Sequence, residues 1–126
     1  MSRRTIVLFA AISILAIALS ACGGGAAGSN TSGAAALNVT ITGTEFKFDP
    51  ATINATPGQT INVTLKNTGS VEHTLVFAPA NFKMLVQPGK SDTKSFTAPT
   101  APGTYDIVCD VAGHKEAGMV GKLVVK

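Results

Sequence analysis

Cys109, His114 and Met119 follow one another with four residues between each pair, on the stretch Cys109-Asp110-Val111-Ala112-Gly113-His114-Lys115-Glu116-Ala117-Gly118-Met119. A second imidazole, His73, lies thirty-six residues before Cys109, and these are the only 2 histidines in the chain. A thiolate, two imidazoles and a weak thioether form the donor set of a type 1, blue-copper electron-transfer site. In that scheme Cys109, His73 and His114 are the strong trigonal donors and Met119 is the long axial one. Zinc would want a fourth strong ligand, and methionine is a poor one. Soft sulfur donors also suit Cu(I), so one cage can hold both oxidation states.

Each of these residues has an ordinary use when taken alone. A single cysteine is usually a small buried hydrophobe, and a methionine beside a strand usually fills a gap. A single histidine usually sits at the surface or satisfied in a core. What separates a metal site from coincidence is the number of donors and their spacing, and both are met here. Glu72 and Glu116 flank the two histidines, and a carboxylate donor would give a differently coloured site; exposure is the usual fate of glutamate. The sequence offers no Ser-His-Asp set, no second metal cluster and no paired carboxylates in a plausible pocket, so it does not read as an enzyme. A copper-delivery or storage protein using the same cage is the alternative. Such a protein must release metal, which calls for exchangeable Met or His clusters, and the chain has only 3 methionines, the initiator among them. A metal-free adhesion sandwich would explain the strands but not the donors.

Strands must position these donors. Leu37, Val39 and Ile41 alternate with polar residues, as do Ile61, Val63 and Leu65; period two marks half-buried strands. Phe46 and Phe48 begin a further apolar alternation, closed by Asp49-Pro50, and Ile53 is an inward anchor. Thr56-Pro57-Gly58-Gln59 has proline and glycine where a type II turn wants them. His73, Leu75 and Phe77 share one strand face, and Tyr105, Ile107 and Cys109 share another, because side chains at i, i+2 and i+4 point the same way. Met119, Leu123 and Val125 share parity on the last strand. Residues 78–87 read as an irregular connection in which Met84, Leu85 and Val86 form at most a short strand. Residues 92–97 suit an edge strand, and Pro99 and Pro102 bracket a loop. The reading is all-β: a Greek-key β-sandwich of seven to eight short strands, with three donors at core-facing strand ends and His114 on the loop between two of them.

With the loop wording GHKEAGM, and with FKFDPATINATPGQTINVTLKNTGSVEHTLVF upstream, the chain from Leu37 to Lys126 resembles a small cupredoxin whose ligand loop is of the auracyanin and rusticyanin type. The resemblance implies a single copper ion and one-electron exchange with a redox protein such as a cytochrome, reaction centre, oxidase or reductase. It implies that Thr74, the residue after the first histidine, ties the two ligand-bearing segments together through its hydroxyl. Val111 stands where some relatives have proline, so it keeps a backbone N–H. That N–H directed at the sulfur would withdraw charge from the thiolate and favour Cu(I). In cupredoxins with a distant axial carbonyl, glycine often precedes the first histidine; here Glu72 does, and that contact is not carried over.

The N-terminus reads separately. Met1 to Arg4 is a short positive region and Thr5 to Leu19 an apolar one, too short to span a bilayer comfortably and flanked as a signal peptide is. Leu19-Ser20-Ala21-Cys22 resembles a bacterial lipobox, which implies cleavage before Cys22 and lipid attachment to its thiol. The expected organisation is a signal peptide over 1–21, the lipidated Cys22 with a flexible tether over 22–36, and the folded domain over 37–126. The tether, uncharged and lacking bulky apolar residues, cannot bury a core and reaches about 20 Å. A Cys22–Cys109 disulfide would take both thiols from these uses and is rejected. The expected location is outside the cytoplasm, in the periplasm or at the cell surface, on a lipid anchor. The formal charge is +3. Removing Arg3 and Arg4 with the leader subtracts 2 and leaves +1, so nothing favours nucleic acid. A monomer is expected.

Overall fold

The computed structural model describes residues 33–126. Cys22, the leader over 1–21 and the tether up to residue 32 lie outside the described residues. Residues 33–36 are exposed and carry no regular structure. Nine strands follow: β1 (Leu37–Thr44), β2 (Lys47–Asp49), β3 (Thr52–Ala55), β4 (Thr60–Asn67), β5 (His73–Phe77), β6 (Phe82–Val86), β7 (Ser91–Thr97), β8 (Gly103–Val108) and β9 (Val120–Val125). They form a four-stranded sheet ordered β2-β1-β4-β7 and a five-stranded sheet ordered β3-β9-β8-β5-β6. The pairs β1/β4 and β3/β9 are parallel and the others antiparallel. Parallel neighbours cannot be joined by hairpins, so the chain crosses between sheets, and the all-β sandwich expected from the alternation is the fold observed.

The alternation decides what faces inward. Ile61, Val63 and Leu65 of β4 are fully buried, as are Leu75 and Phe77 of β5 and Leu123 of β9. Each such side chain contributes about 1.5–3 kcal/mol by leaving water. Phe96 of β7, the edge strand expected over 92–97, packs on Phe77 and Phe82 at centroid distances of 4.9 and 4.8 Å. Gly58 has φ 71°, and Gln59 N–H donates to the Thr56 carbonyl at 3.1 Å, so the Pro-Gly turn forms as its residues require.

Two stretches differ from their sequence reading. The connection expected over 78–87 is a 3-10 turn at Ala78–Ala80 followed by the full strand β6. Phe82, Met84 and Val86 are buried while Leu85 is exposed. That exposed leucine turns Met84-Leu85-Val86 into a continuous apolar run, and the run conceals the period of two. Phe46 does not share the inward course of Phe48. It sits in the turn between β1 and β2, 42% exposed, whereas Phe48 is buried.

Candidate metal centre

The five-stranded sheet carries the donors. His73 is the first residue of β5, and Cys109 immediately follows β8. Met119 immediately precedes β9. His114 lies on the loop between Cys109 and Met119. Cys109, His73 and Met119 have 0% exposure and His114 has 7%. His73 Nδ1 lies 3.3 Å from His114 Nδ1, and Cys109 Sγ lies 3.5 Å from His114 Nδ1. One donor atom from each of the three residues falls within 4.8 Å of the others. Cys109 is buried and has no disulfide partner among the described residues.

The donor set fits one soft cation. Two imidazole nitrogens and a sulfur turn toward each other among buried side chains. Neutral imidazoles arranged so would oppose lone pair to lone pair unless a proton or a metal lay between them. The second nitrogen of His73, Nε2, is buried and has no hydrogen-bond partner among the described residues. Burial, then the proximity of His114, lowers the His73 pKa, against a smaller raising effect of Glu45. His73 is thus held in the neutral form that binds metals. The Met119 methyl group and the His73 ring converge on Gly43 of β1: a Cβ there would stand 3.5 Å from Met119 Cε and 3.3 Å from His73 Cδ2.

Backbone hydrogen bonds brace the ligand loop. Cys109 N–H donates to the Met119 carbonyl at 3.1 Å, and Met119 N–H donates to the His114 carbonyl at 2.9 Å. His114 N–H donates to Val111 O, Ala117 N–H to Gly113 O and Gly118 N–H to Lys115 O, each at 3.0 Å. Gly113 and Gly118 have φ 81° and 102°, where a side chain would be strained. The loop's own backbone hydrogen bonds therefore close it at the neck where two of the donors emerge.

Thr74 meets the Cys109 segment at several points. Its N–H donates to Cys109 Sγ at 3.4 Å, and its hydroxyl donates to Asp110 Oδ1 at 2.7 Å while accepting from Asp110 N–H at 2.9 Å. Among the described residues Val111 is not a hydrogen-bond donor to the sulfur. The backbone donor is Thr74, and Val111 serves the loop through its carbonyl. Glu72 is exposed and accepts from Gln87 Nε2 at 2.9 Å; Glu116 is exposed as well. Neither belongs to the donor cluster.

Sequence reasoning passed over the residues that support the donors from outside. Asn67, the last residue of β4, is buried. Its amide donates to Val71 O at 2.8 Å and Val86 O at 2.9 Å, and its Oδ1 accepts from Gly69 N–H at 2.9 Å. Val86 is the ladder partner of His73, so Asn67 fixes the turn before the histidine and the strand beside it. Glu45 accepts from Ser70 and Val71 N–H on the same turn, and a Cβ on Gly69 would collide with its carboxylate. The exposed Phe46 ring stands edge-on to His114, with centroids 4.9 Å apart. Lys83 of β6 pairs with Asp110 Oδ2 at 2.7 Å. Of these only Phe46 figured in the sequence reading, and there as a strand residue beside Phe48.

A two-sheet sandwich with this donor set at one end defines a blue-copper protein. The family model described as a cupredoxin-like domain matches residues 8–125, and the chain belongs to that family. Its cluster fits a single type 1 copper ion. The chain is 32% identical over 100 residues to the copper-resistant cuproprotein CopI of Rubrivivax gelatinosus, covering 64% of this chain and 61% of that protein. It is 37% identical over 51 residues to rusticyanin of Acidithiobacillus ferrooxidans, covering 40% of this chain and 33% of rusticyanin. The matches thus span less than two thirds of either curated relative. The structure of dithionite-reduced auracyanin from Roseiflexus castenholzii superposes with a TM-score of 0.64 at 29% identity, covering 73% of this chain and 98% of auracyanin.

Proposed function

We propose that the protein is a one-electron carrier held at a membrane surface outside the cytoplasm, with His73, Cys109, His114 and Met119 as the ligands of its copper ion. Copper bound there would supply reversible exchange of one electron between Cu(I) and Cu(II). The observation that carries this reading is the buried cluster of two imidazoles and a thiol on a loop braced by its own backbone. Electron transfer is fast when ligands need not move, and donors fixed at packed strand ends supply that rigidity. The copper-loaded protein is expected to show an intense sulfur-to-copper charge-transfer band in the red. Cys109→Ser is expected to abolish it, and a variant that stays blue would overturn the assignment.

His114 is the donor that retains exposure, so the electron is proposed to leave there. Around it stand the exposed residues Ala112, Gly113, Ala117 and Gly118, with the Phe46 ring against the imidazole. Small and apolar groups let a partner's cofactor approach and lose water at little cost. Ala112→Asp is expected to slow electron exchange with a redox protein while leaving the spectrum intact; an unchanged rate would place the exit elsewhere.

The anchor is proposed from Leu19-Ser20-Ala21-Cys22. Among the described residues no helix is long and apolar enough to cross a membrane. An unmodified mature N-terminus by mass spectrometry would remove this part of the proposal. Similarity to CopI favours a second reading, that the cage serves copper handling. A carrier is expected to retain copper against a chelator through repeated redox cycles, whereas a delivery protein would surrender it.

A further inference from the structure

Thr74 has one hydroxyl hydrogen and two acceptors in reach, Asp110 Oδ1 at 2.7 Å and Cys109 Sγ at 3.5 Å. The two cannot both be served well. A short bond to an ionised carboxylate is among the stronger hydrogen bonds in proteins, whereas sulfur is a weak acceptor. The carboxylate is itself held in place. Its second oxygen, Oδ2, takes the Lys83 ammonium at 2.7 Å, and Lys83 lies on β6 opposite Val76 of β5, on the strand that neighbours Thr74. The Asp110 N–H donates to the Thr74 oxygen at 2.9 Å, which sets the hydroxyl acceptor side toward the Asp110 backbone and its hydrogen toward the carboxylate. The Thr74 hydroxyl is buried with its residue at 2% exposure, so water does not compete for the hydrogen.

We propose that Asp110, braced by Lys83, is a positioning residue that draws the Thr74 hydroxyl hydrogen away from the Cys109 sulfur. The sulfur is left with the Thr74 backbone N–H, at 3.4 Å, as its donor from β5. A hydrogen bond to a thiolate stabilises charge on sulfur and reduces what it gives to a metal. Withholding one keeps the sulfur the stronger donor, which disfavours Cu(I) and lowers the potential. In this chain the residue after the cysteine thus sets how many hydrogens the sulfur receives.

This inference rests on the copper reading, and its test separates the two. The variants T74V, D110A and the double variant are loaded with copper, and the energy of the charge-transfer band and the reduction potential are measured. T74V removes a hydroxyl whose hydrogen is already directed elsewhere, so the band is expected to stay where it is in the native protein. D110A frees that hydrogen to turn to the sulfur, and the band is expected to move to shorter wavelength while the potential rises. Removing the Asp110 charge also raises the potential, but that part persists in the double variant. The band shift, which needs the hydroxyl, is expected to vanish in it. A band that moves to longer wavelength in T74V would show that the hydroxyl serves the sulfur already, and would overturn the proposal even if D110A failed to fold. A D110A shift that survives in the double variant, or no shift at all, would overturn it as well. Absence of the band from native copper-loaded protein would instead overturn the copper reading.

Discussion

The two sheets divide the work of the site unequally. The five-stranded sheet and its loops supply His73, Cys109, His114 and Met119. The four-stranded sheet supplies none of the four. It supplies instead Gly43, which leaves room for His73 and Met119, and Asn67, which ties the strand and turn around His73. Its β1–β2 turn supplies Glu45 and Phe46. One sheet brings chemistry and the other brings restraint. A donor announces itself by residue type, whereas a restraint is defined by where its neighbours are. If this division holds, substitutions in the four-stranded sheet should alter the site or its stability without touching a donor.

The largest such effect is expected at Asn67. Asn67→Ala deletes three hydrogen bonds, one of them to the carbonyl of the buried Val86. Each such bond contributes about 0.5–1.5 kcal/mol net, so the loss of all three costs about 3 kcal/mol. For a domain of this size that lowers the melting temperature by on the order of 15 °C. The charge-transfer band is expected to survive, because all four donors remain. Calorimetry of the copper-free and copper-loaded variant checks both parts. A melting temperature within a degree or two of the native value would show that the turn before His73 holds itself.

A smaller effect with a sharper signature is expected at Gly43. A Cβ added there stands 3.3 Å from the His73 ring, closer than side chains normally approach, and 3.5 Å from the Met119 methyl group. Gly43 is not among the glycines with positive φ, so alanine is resisted by contact and not by its backbone. Overpacking of this kind costs about 1–3 kcal/mol. Gly43→Ala is expected to lower stability by about 1 kcal/mol, the low end of that range, because only one atom is added. It is also expected to change the copper hyperfine splitting through displacement of His73 or Met119. An electron paramagnetic resonance spectrum identical to native would mean that the second sheet does not constrain the donors.

The same division explains how much could be read in the sequence. Cys109, His114 and Met119 are spaced on one short stretch, His73 shares its strand parity with Leu75 and Phe77, and alternation alone gives an all-β sandwich. Those signals are local. Gly43 looks like a strand break, Asn67 like an ordinary turn residue, and Glu45 like a surface charge, because their partners lie many residues away and only the packing of the two sheets brings them together. Phe46 misled for the same reason. Its apolar type matches Phe48, and the turn that carries it to the His114 ring leaves no local pattern. Strand β6 was hidden by the exposed Leu85, which fills the polar slot of its alternation. The Thr74 backbone N–H, 3.4 Å from the Cys109 sulfur across the sheet, left no local pattern either.

The smallest effect expected is at Glu45, and it discriminates through its pH dependence. The carboxylate accepts hydrogen bonds from the backbone of Ser70, the largest influence, and from Val71 and the Ser70 hydroxyl. Its pKa is lowered from 4.5 to about 2. A carboxyl group whose folded pKa lies below its unfolded value stabilises the fold fully above the unfolded value, and that contribution is lost as pH falls through the folded one. For Glu45 the contribution is therefore complete above about pH 4.5 and disappears by about pH 2. Glu45→Gln keeps the shape of the side chain and removes its charge. At pH 7 the variant is expected to melt below the native protein. Between pH 4.5 and pH 2 the gap should close, because the native glutamate becomes neutral too. Metal-free protein is the sample of choice, since acid also strips copper from its ligands and would mask the comparison. Because the group is exposed, solvent screening keeps the whole effect small. A gap that stays constant from pH 7 to pH 2 would mean that the charge of Glu45 plays no part, and that the turn carrying His73 is held by Asn67 alone.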